Sequence, residues 1–405
     1  MNIYQKIIYN KHGKCLKPGK NIILNLDWLM LHDGSIMMVE RYYQEHGFNH
    51  VFDPEKIIIV FDHIYPANNA ITASLHEKAR NFTRKYGIKT LFDGGQGISH
   101  QLLLENPEIT GGSILLGGDS HTPTIGAYSV LGLGSGATDM TYAMLTGTTW
   151  FTMGQTLKIK LWGVPSDQIT AKDIVLYIAK NISPQRLNEK FIVYEAEHSL
   201  TYDWRAVLCN MSPELGAVTA IFEPSDYYSE DPLRYKHTQD LISDCDNDFD
   251  DIIDINIDKI TPLIAYPHQV DIVYPVQKKS GIKVDVVFIG TCTGGRLEDL
   301  ISAAKVFSEM QRPLRTRLLI NPASIATYKK AIELGLITQF LELGATILPP
   351  SCGPCLGQNM GVLGDNETCV STGNRNYKGR MGNKNASIYL CSPASAARIA
   401  VEGNI

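Results

Sequence analysis

The 405-residue sequence lacks several things, and each absence excludes a class of function. No run approaches the roughly 20 uninterrupted apolar residues that a membrane-spanning helix requires. The opening residues, MNIYQKIIYNKHGKCLKPGK, have neither an apolar core nor a small-residue cleavage site, so they do not read as a secretory signal. Cysteine is sparse at eight residues, far from the density of a secreted disulfide scaffold. The expectation is a cytoplasmic chain, in which a C-x-x-C pair suits metal or redox chemistry better than a structural disulfide. The net charge is −5 and the Lys and Arg residues are scattered, so no basic groove for nucleic acid is expected. There is no Walker A sequence and no repeat of fixed period.

What is present is an ordinary globular composition, 44% hydrophobic and 20% charged, in a chain long enough for two or three domains. Short apolar runs such as NIILNLDWLM (21–30), KIIIVFD (56–62) and SILLGG (113–118) read as buried parallel strands. Helical patterns lie between them, over 35–46, 70–86 (stopped by Gly87) and 138–151. This alternation predicts an α/β fold with mainly parallel sheet. The texture changes near 160 and 275, which divides the chain into domains at 1–160, 161–275 and 276–405. Residues 225–259, rich in Asp, Ser and Tyr, read as a surface excursion.

The sharpest signal is Cys292 in IGTCTGG together with Cys352 and Cys355 in PPSCGPCLGQNMG. Each cysteine follows a buried apolar strand, in a turn rich in Gly, Pro and Thr, where α/β sheets bind ligands. Such turns aim backbone N–H groups at an anion, and a thiolate-ligated cluster is one. Electron carriers normally use four cysteines. Three suit a cubane with one open iron, a Lewis acid. On the residues alone two other readings stay open: a zinc site with Cys369 as fourth ligand, and a redox pair.

Four further segments place acids and histidines at strand ends: Asp62–His63 in FDHIYPANN, His100 in GISHQLLLEN, Asp119–His121 in GGDSHTPTIGA, and Glu214 in CNMSPELGA. A carboxylate orients an imidazole and raises its basicity, so these turns suggest a pocket of poised proton donors. Arg375 and Arg380, in STGNRNYKGRMG, suit bidentate capture of carboxylates. Two patterns are decoys. Gly132, Gly134 and Ala137 have dinucleotide spacing, but no acidic residue lies between 140 and 166, so the glycines read as close packing near the site. The acidic run at 243–259 lacks the central glycine and closing glutamate of a calcium loop and reads as solvated surface.

Taken together, DHIYPANN, ISHQLLLEN, GDSHTPTIGA, CNMSPELGA, IGTCTGGRLEDL, CGPCLGQNMGVL and STGNRNYKGRMG resemble, in order, the signature blocks of the aconitase family. The compact length and the HDG at 32–34 resemble its short large subunits, which include 3-isopropylmalate dehydratase, homoaconitase and 2,3-dimethylmalate dehydratase. The resemblance implies three similar α/β domains around one [4Fe-4S] cluster held by Cys292, Cys352 and Cys355. It implies acid–base groups Asp62–His63, His100 with Glu214, and Asp119–His121, with Arg375 and Arg380 on substrate carboxylates and Asn210 and Asn374 near the cluster. The expected reaction is dehydration and rehydration of a hydroxy-dicarboxylate. The family's catalytic serine, in a Gly-Ser-Ser-Arg loop of a swivelling domain, has no counterpart here, so a separate small subunit is the expected partner. Gly294 stands where the family usually has asparagine, and Gly373 where a larger polar residue is common. Rival classes are a nicotinamide dehydrogenase and a non-enzymatic metal-binding protein of the same fold.

Overall fold

Residues 1–224, 238–278 and 281–405 are described by the computed structural model. The first sheet has five parallel strands in the order Thr90–Phe92, Ile57–Val60, Trp28–His32, Ile114–Gly117, Leu131–Gly134. Ile57–Val60 and Ile114–Gly117 are buried along their whole length, as strands covered on both faces must be. Ala70–Lys85 shows how the local sequence sets a helix. The Asn69 side chain accepts from Thr72 N at its start, and Gly87 supplies a left-handed φ of 66° just past its end.

The second sheet has four parallel strands, in the order Thr219–Phe222, Phe191–Ala196, Thr156–Trp162, Asp251–Asn256. The third has seven: Val273–Pro275, Leu263–Ala265, Ser387–Cys391, Thr368–Ser371, Val286–Ile289, Arg317–Ile320, Thr346–Ile347. Its last five are parallel, and the first two add an antiparallel edge. Those two edge strands, which the sequence places before the second boundary, therefore hydrogen-bond into the third sheet.

Three local expectations change. Residues 21–30 form two strands, because Asp27 turns aside to accept the Ile114 N–H; Asn21–Asn25 instead pairs antiparallel with Thr148–Thr152. The helix expected over 138–151 ends at Gly147 (φ 68°), and the β-branched and aromatic TTWFT that follows is a strand. Gly335, at φ 74°, likewise separates helix Ile325–Glu333 from Leu336–Glu342. Within 243–259, Asp251–Asn256 is a sheet-edge strand rather than solvated surface, and Asp250 receives the Thr156 N–H and hydroxyl. The first part of the 225–259 excursion lies outside the described residues.

The sheets share their cores. Leu157, Ile192 and Phe222 of the second pack in one cluster with Val286, Phe288 and Ile388 of the third. Ile57, Ile59 and Leu131 of the first pack with Phe191, Val193 and Ile221 of the second. Each buried side chain of this size contributes about 1.5–3 kcal/mol. The strand ends that carry the polar turns are therefore held at fixed distances. Gly97 (φ 153°) marks one such joint: a Cβ there would lie 2.9 Å from the Ala323 carbonyl, across the seam between the first and third sheets.

Candidate active site

Turns from the C-terminal ends of the parallel strands meet at one cavity, lined by His63, His100, Asp119, His121, Thr291, Cys292, Cys352, Cys355, Leu356, Asn374 and Arg380. Cys292 follows Val286–Ile289. It is preceded by Thr291 at φ 73°, a left-handed conformation that costs a β-branched residue about 1–3 kcal/mol. Cys352 and Cys355 follow Thr346–Ile347, and the Cys352 N–H donates to the Asp62 carbonyl at 2.8 Å, tying the third sheet's turn to the first sheet's. Asn374 joins the group: its amide nitrogen is 3.4 Å from Cys292 Sγ and 3.1 Å from Asn210 Oδ1, and its oxygen is 3.9 Å from Cys355 Sγ. Arg380 Nη2 lies 3.5 Å from Cys355 Sγ.

The placement of the thiols bears on the readings left open by the sequence. A single zinc ion with Zn–S near 2.3 Å needs sulfurs about 3.8 Å apart. Among the described residues, the groups that bring three ligand atoms within 4.8 Å of one another are His32/His63/Asp119, Asp62/His63/Cys352 and His100/Asp119/His121, and none unites two cysteines. The three thiols thus border one cavity without being drawn together round a single point, an arrangement with room for a polynuclear group. Cys369 is fully buried in Thr368–Ser371, packed in the core, and does not line the cavity, so it is no fourth ligand. Cys209 and Cys391 are likewise buried, while Cys15 and Cys245 are exposed. Burial pushes the Cys292 thiol up to about 12 and Cys352 well above its usual value. Cationic metal is what would offset that penalty.

Asp119 is the centre of the acid–base group. Its Oδ1 accepts from His100 Nε2 at 2.9 Å and from His121 N at 2.7 Å, and its Oδ2 lies 3.2 Å from His63 Nε2. His121 Nε2 instead meets Glu214 Oε1 at 3.0 Å. The expected pairing of His100 with Glu214 is therefore replaced: Asp119 serves His100 and also keeps His121, whose Nδ1 is 3.3 Å from its Oδ1, while Glu214 serves His121 alone of the two rings. The reason is tertiary, since helix Ser99–Glu105 docks its His100 against the Asp119 turn, a placement that linear order does not carry. Asp62 holds His63 Nδ1 at 2.7 Å with one oxygen and the Ser99 N–H at 2.6 Å with the other. Arg375 spends its Nε on Glu214 (2.6 Å) and its Nη2 on the Ser120 hydroxyl (2.9 Å), so it sits at the rim and Arg380 lines the cavity.

These contacts split the protonation states. For His121, burial pulls downward, but Glu214 and Asp119 outweigh it and raise the ring to about 9. His63 is also raised, because Cys352, Asp62 and Asp119 overcome its burial. His100 moves the other way, lowered by burial that Asp119 does not offset. A neutral His100 donating through Nε2 leaves Nδ1 as a free acceptor. His100 Nδ1, Glu214 Oε2 and Arg380 Nε are all buried without a partner. Each such orphan costs about 1–3 kcal/mol or more, so three of them around one site point to a bound ligand.

Three residues of the site escape the sequence reading. Asp33, fully buried, receives the His63 N–H (3.1 Å) and the Ile64 N–H (2.8 Å) and contacts His76 Nε2 (3.3 Å). His32 stacks on His63 with ring centres 3.8 Å apart. Lys172, at the start of Ala171–Asn181, is buried behind the thiols. The HDG at 32–34 and the AKD at 171–173 were visible, but nothing in their spacing carries these contacts. The two family departures have a packing cause: a Cβ at Gly294 would lie 2.1 Å from Thr372 Oγ1, and one at Gly373 3.1 Å from Ser371 Oγ, so neighbouring side chains already occupy the space. Gly132 and Gly134 similarly let the backbone of 119–122 approach; added Cβ atoms would meet Thr122 O at 2.6 Å and Asp119 O at 2.7 Å.

Comparison with known proteins agrees with this geometry. A family profile described as "Aconitase family (aconitate hydratase)" matches residues 5–283 and 276–403. The chain is 36% identical to a probable methanogen homoaconitase large subunit of Methanothermobacter thermautotrophicus, covering 100% of this chain and 97% of that protein. It is 38% identical to 3-isopropylmalate dehydratase large subunit 1 of Thermotoga maritima, over 98% of this chain and 96% of that one. Among solved structures, aconitase X of Thermococcus kodakaraensis superimposes with a TM-score of 0.51 at 13% identity, covering 94% of this chain and 86% of that one, a likeness of fold alone.

Proposed function

From the premise that this chain belongs to the aconitase family, we propose that it is the large subunit of a hydro-lyase that dehydrates and rehydrates a hydroxy-dicarboxylate such as 3-isopropylmalate. The observation that carries the reading is the convergence of three thiols and three buried, unpartnered polar atoms, His100 Nδ1, Glu214 Oε2 and Arg380 Nε, on one site. Cys292, Cys352 and Cys355 would hold a [4Fe-4S] cluster, with Asn374 and Asn210 behind them. When bound, that cluster supplies an open iron as a Lewis acid for the substrate's hydroxyl and carboxylate.

The protein's own groups do the rest. Arg380, and Arg375 at the rim, hold the substrate carboxylates. His63, oriented by Asp62 and kept protonated by its acidic neighbours, donates the proton to the departing hydroxyl. Its 3.2 Å contact with Asp119 is the one a substrate oxygen would replace. A serine of a small swivel-domain subunit removes the carbon-bound proton. Fixing these groups before substrate arrives is worth about 7–11 kcal/mol of the barrier. Homocitrate and 2,3-dimethylmalate are the competing substrates, and relatives named for homoaconitase stand beside those named for the isopropylmalate enzyme.

The test is co-expression with a small subunit, anaerobic loading with iron and sulfide, and assay on isopropylmalate, homocitrate, citramalate and dimethylmalate. Brown, iron-loaded protein that turns over one of these is expected. Colourless protein holding stoichiometric zinc, or a loaded pair inert on all four, overturns the proposal.

A further inference from the structure

Helix Ala171–Asn181 buries one group that the acid–base chemistry does not use. Lys172 is 1% exposed. Its ammonium donates to the Gly373 carbonyl at 2.7 Å, to Thr293 Oγ1 at 2.9 Å and to Met211 Sδ at 3.2 Å. All three acceptors are neutral, and among the described residues no carboxylate forms an ion pair with it. Burial pulls its pKa down to about 8, with Cys292, Asp299 and Glu214 opposing, so the ammonium keeps its proton at neutral pH. An ammonium taken out of water is costly unless an anion meets it. Here one segment it touches carries a thiol and another carries the asparagine that contacts two of them. Thr293 follows Cys292, and Gly373 precedes Asn374, whose side chain contacts both Cys292 and Cys355.

We infer that Lys172 is the built-in counter-cation of the anionic thiolate-ligated cluster, a positioning residue that sets the cluster's charge balance from behind; this rests on the proposed assignment of Cys292, Cys352 and Cys355. Net charge and hydrogen bonds around the sulfurs are the protein's levers on a cluster's reduction potential. A buried cation favours the reduced, more negative state. It also makes the empty protein carry an unmet charge, so its removal should have opposite effects on the two forms. A plain interdomain tether would instead weaken both.

The experiment uses the full chain and its Lys172→Met and Lys172→Arg variants, loaded anaerobically with ferrous iron and sulfide. Reduction is followed by electron paramagnetic resonance, and melting is compared with and without the cluster. Wild type and Lys172→Arg should take up the cluster and reduce alike. In Lys172→Met the equilibrium should shift at least tenfold toward the oxidised cluster, about 59 mV for a one-electron couple. Cluster-free Lys172→Met should melt no lower than wild type, while the loaded form melts lower. An unchanged equilibrium in loaded Lys172→Met overturns the inference. So does a cluster-free Lys172→Met that fails to fold or melts lower, since that is a tether's signature. A wild-type chain that takes up no cluster overturns the assignment of the thiols as well.

Discussion

Replacing Asp33 with asparagine should loosen the His63 turn and lower the melting temperature by roughly 5 °C. Asp33 has no exposed surface, and its two oxygens receive the His63 and Ile64 N–H groups at 3.1 and 2.8 Å, with His76 Nε2 at 3.3 Å. Burial alone would raise this carboxyl, yet contacts with His32, His76 and His63 hold it well below the usual carboxylate range. Hydrogen bonds to a charged acceptor contribute about 1.5–3 kcal/mol each, and a buried donor left unmet costs about 1–3 kcal/mol. The amide keeps one oxygen but turns an NH2 toward a backbone N–H, so one bond is lost, one donor is orphaned and the others lose their charge. The sum is on the order of 3–5 kcal/mol, and about 1–2 °C per kcal/mol for a chain of this length gives the drop quoted. Thermal circular dichroism measures it, and hydrogen exchange at the His63 and Ile64 amides localises it. Because the folded carboxyl is depressed, its contribution is full above the unfolded value near 3.9 and is lost as pH falls below that. The gap between wild type and Asp33→Asn should therefore begin to narrow as pH falls below about 4 and go on narrowing at still lower pH. Equal melting and equal exchange at pH 7, or a gap that persists unchanged in acid, would refute the reasoning.

Three more perturbations test other parts of the site. Asp119→Asn removes the charge shared by His63, His100 and His121; turnover by the reconstituted pair should fall roughly 10²–10⁴-fold with iron content unchanged, measured as kcat against iron per chain. His121 is raised to about 9, so its ion pair with Glu214 stabilises fully below the unfolded value and is lost as pH rises from there through about 9. The loss should be on the order of 3 kcal/mol, read as a melting difference from His121→Gln that narrows over that range. Gly294→Ala should cost at least about 1–3 kcal/mol through its overlap with Thr372, and combining it with Thr372→Gly should cost less than the two changes added, as a double-mutant melting cycle would show.

Much of the fold was legible because buried parallel strands write themselves as unbroken apolar runs. Ile57–Val60 and Val286–Ile289 could be nothing else, and Asn69 and Gly87 announce the ends of their helix. The site cysteines and acids were legible for a related reason, since each sits in a glycine-rich turn immediately after such a run. What was hidden depends on contacts between segments far apart in sequence. His100 took Asp119 rather than Glu214 because Asp119 meets a helix from earlier in the chain, with |i−j| of 19 to His100, while Glu214 meets His121 across 93 residues. Asp33 and Lys172 were hidden because one buried charge in a helix's first turn reads as an ordinary surface residue until its burial is known. The TTWFT strand was missed because an amphipathic helix and its following strand share one apolar run, and Gly147 alone separates them.

Charge explains why these residues belong to one site rather than to three neighbouring ones. Asp33, Asp62, Asp119 and Glu214 supply four buried or nearly buried carboxylates; Lys172, Arg375 and Arg380 supply three cations, and the raised rings of His63 and His121 two more. Cations and carboxylates among these groups are thus close to matched, and the cations are clustered on the thiol side. With no metal the thiols answer by staying protonated, which is where burial puts Cys292 and Cys352. A thiolate cluster or a dicarboxylate would each meet Arg380 and the raised histidine rings, and would so stabilise the assembly of the sheets around it. Binding and folding are then the same equilibrium seen from two sides: melting should rise with each anion added, and a variant that merely separates the sheets at Gly97 should lose affinity for both.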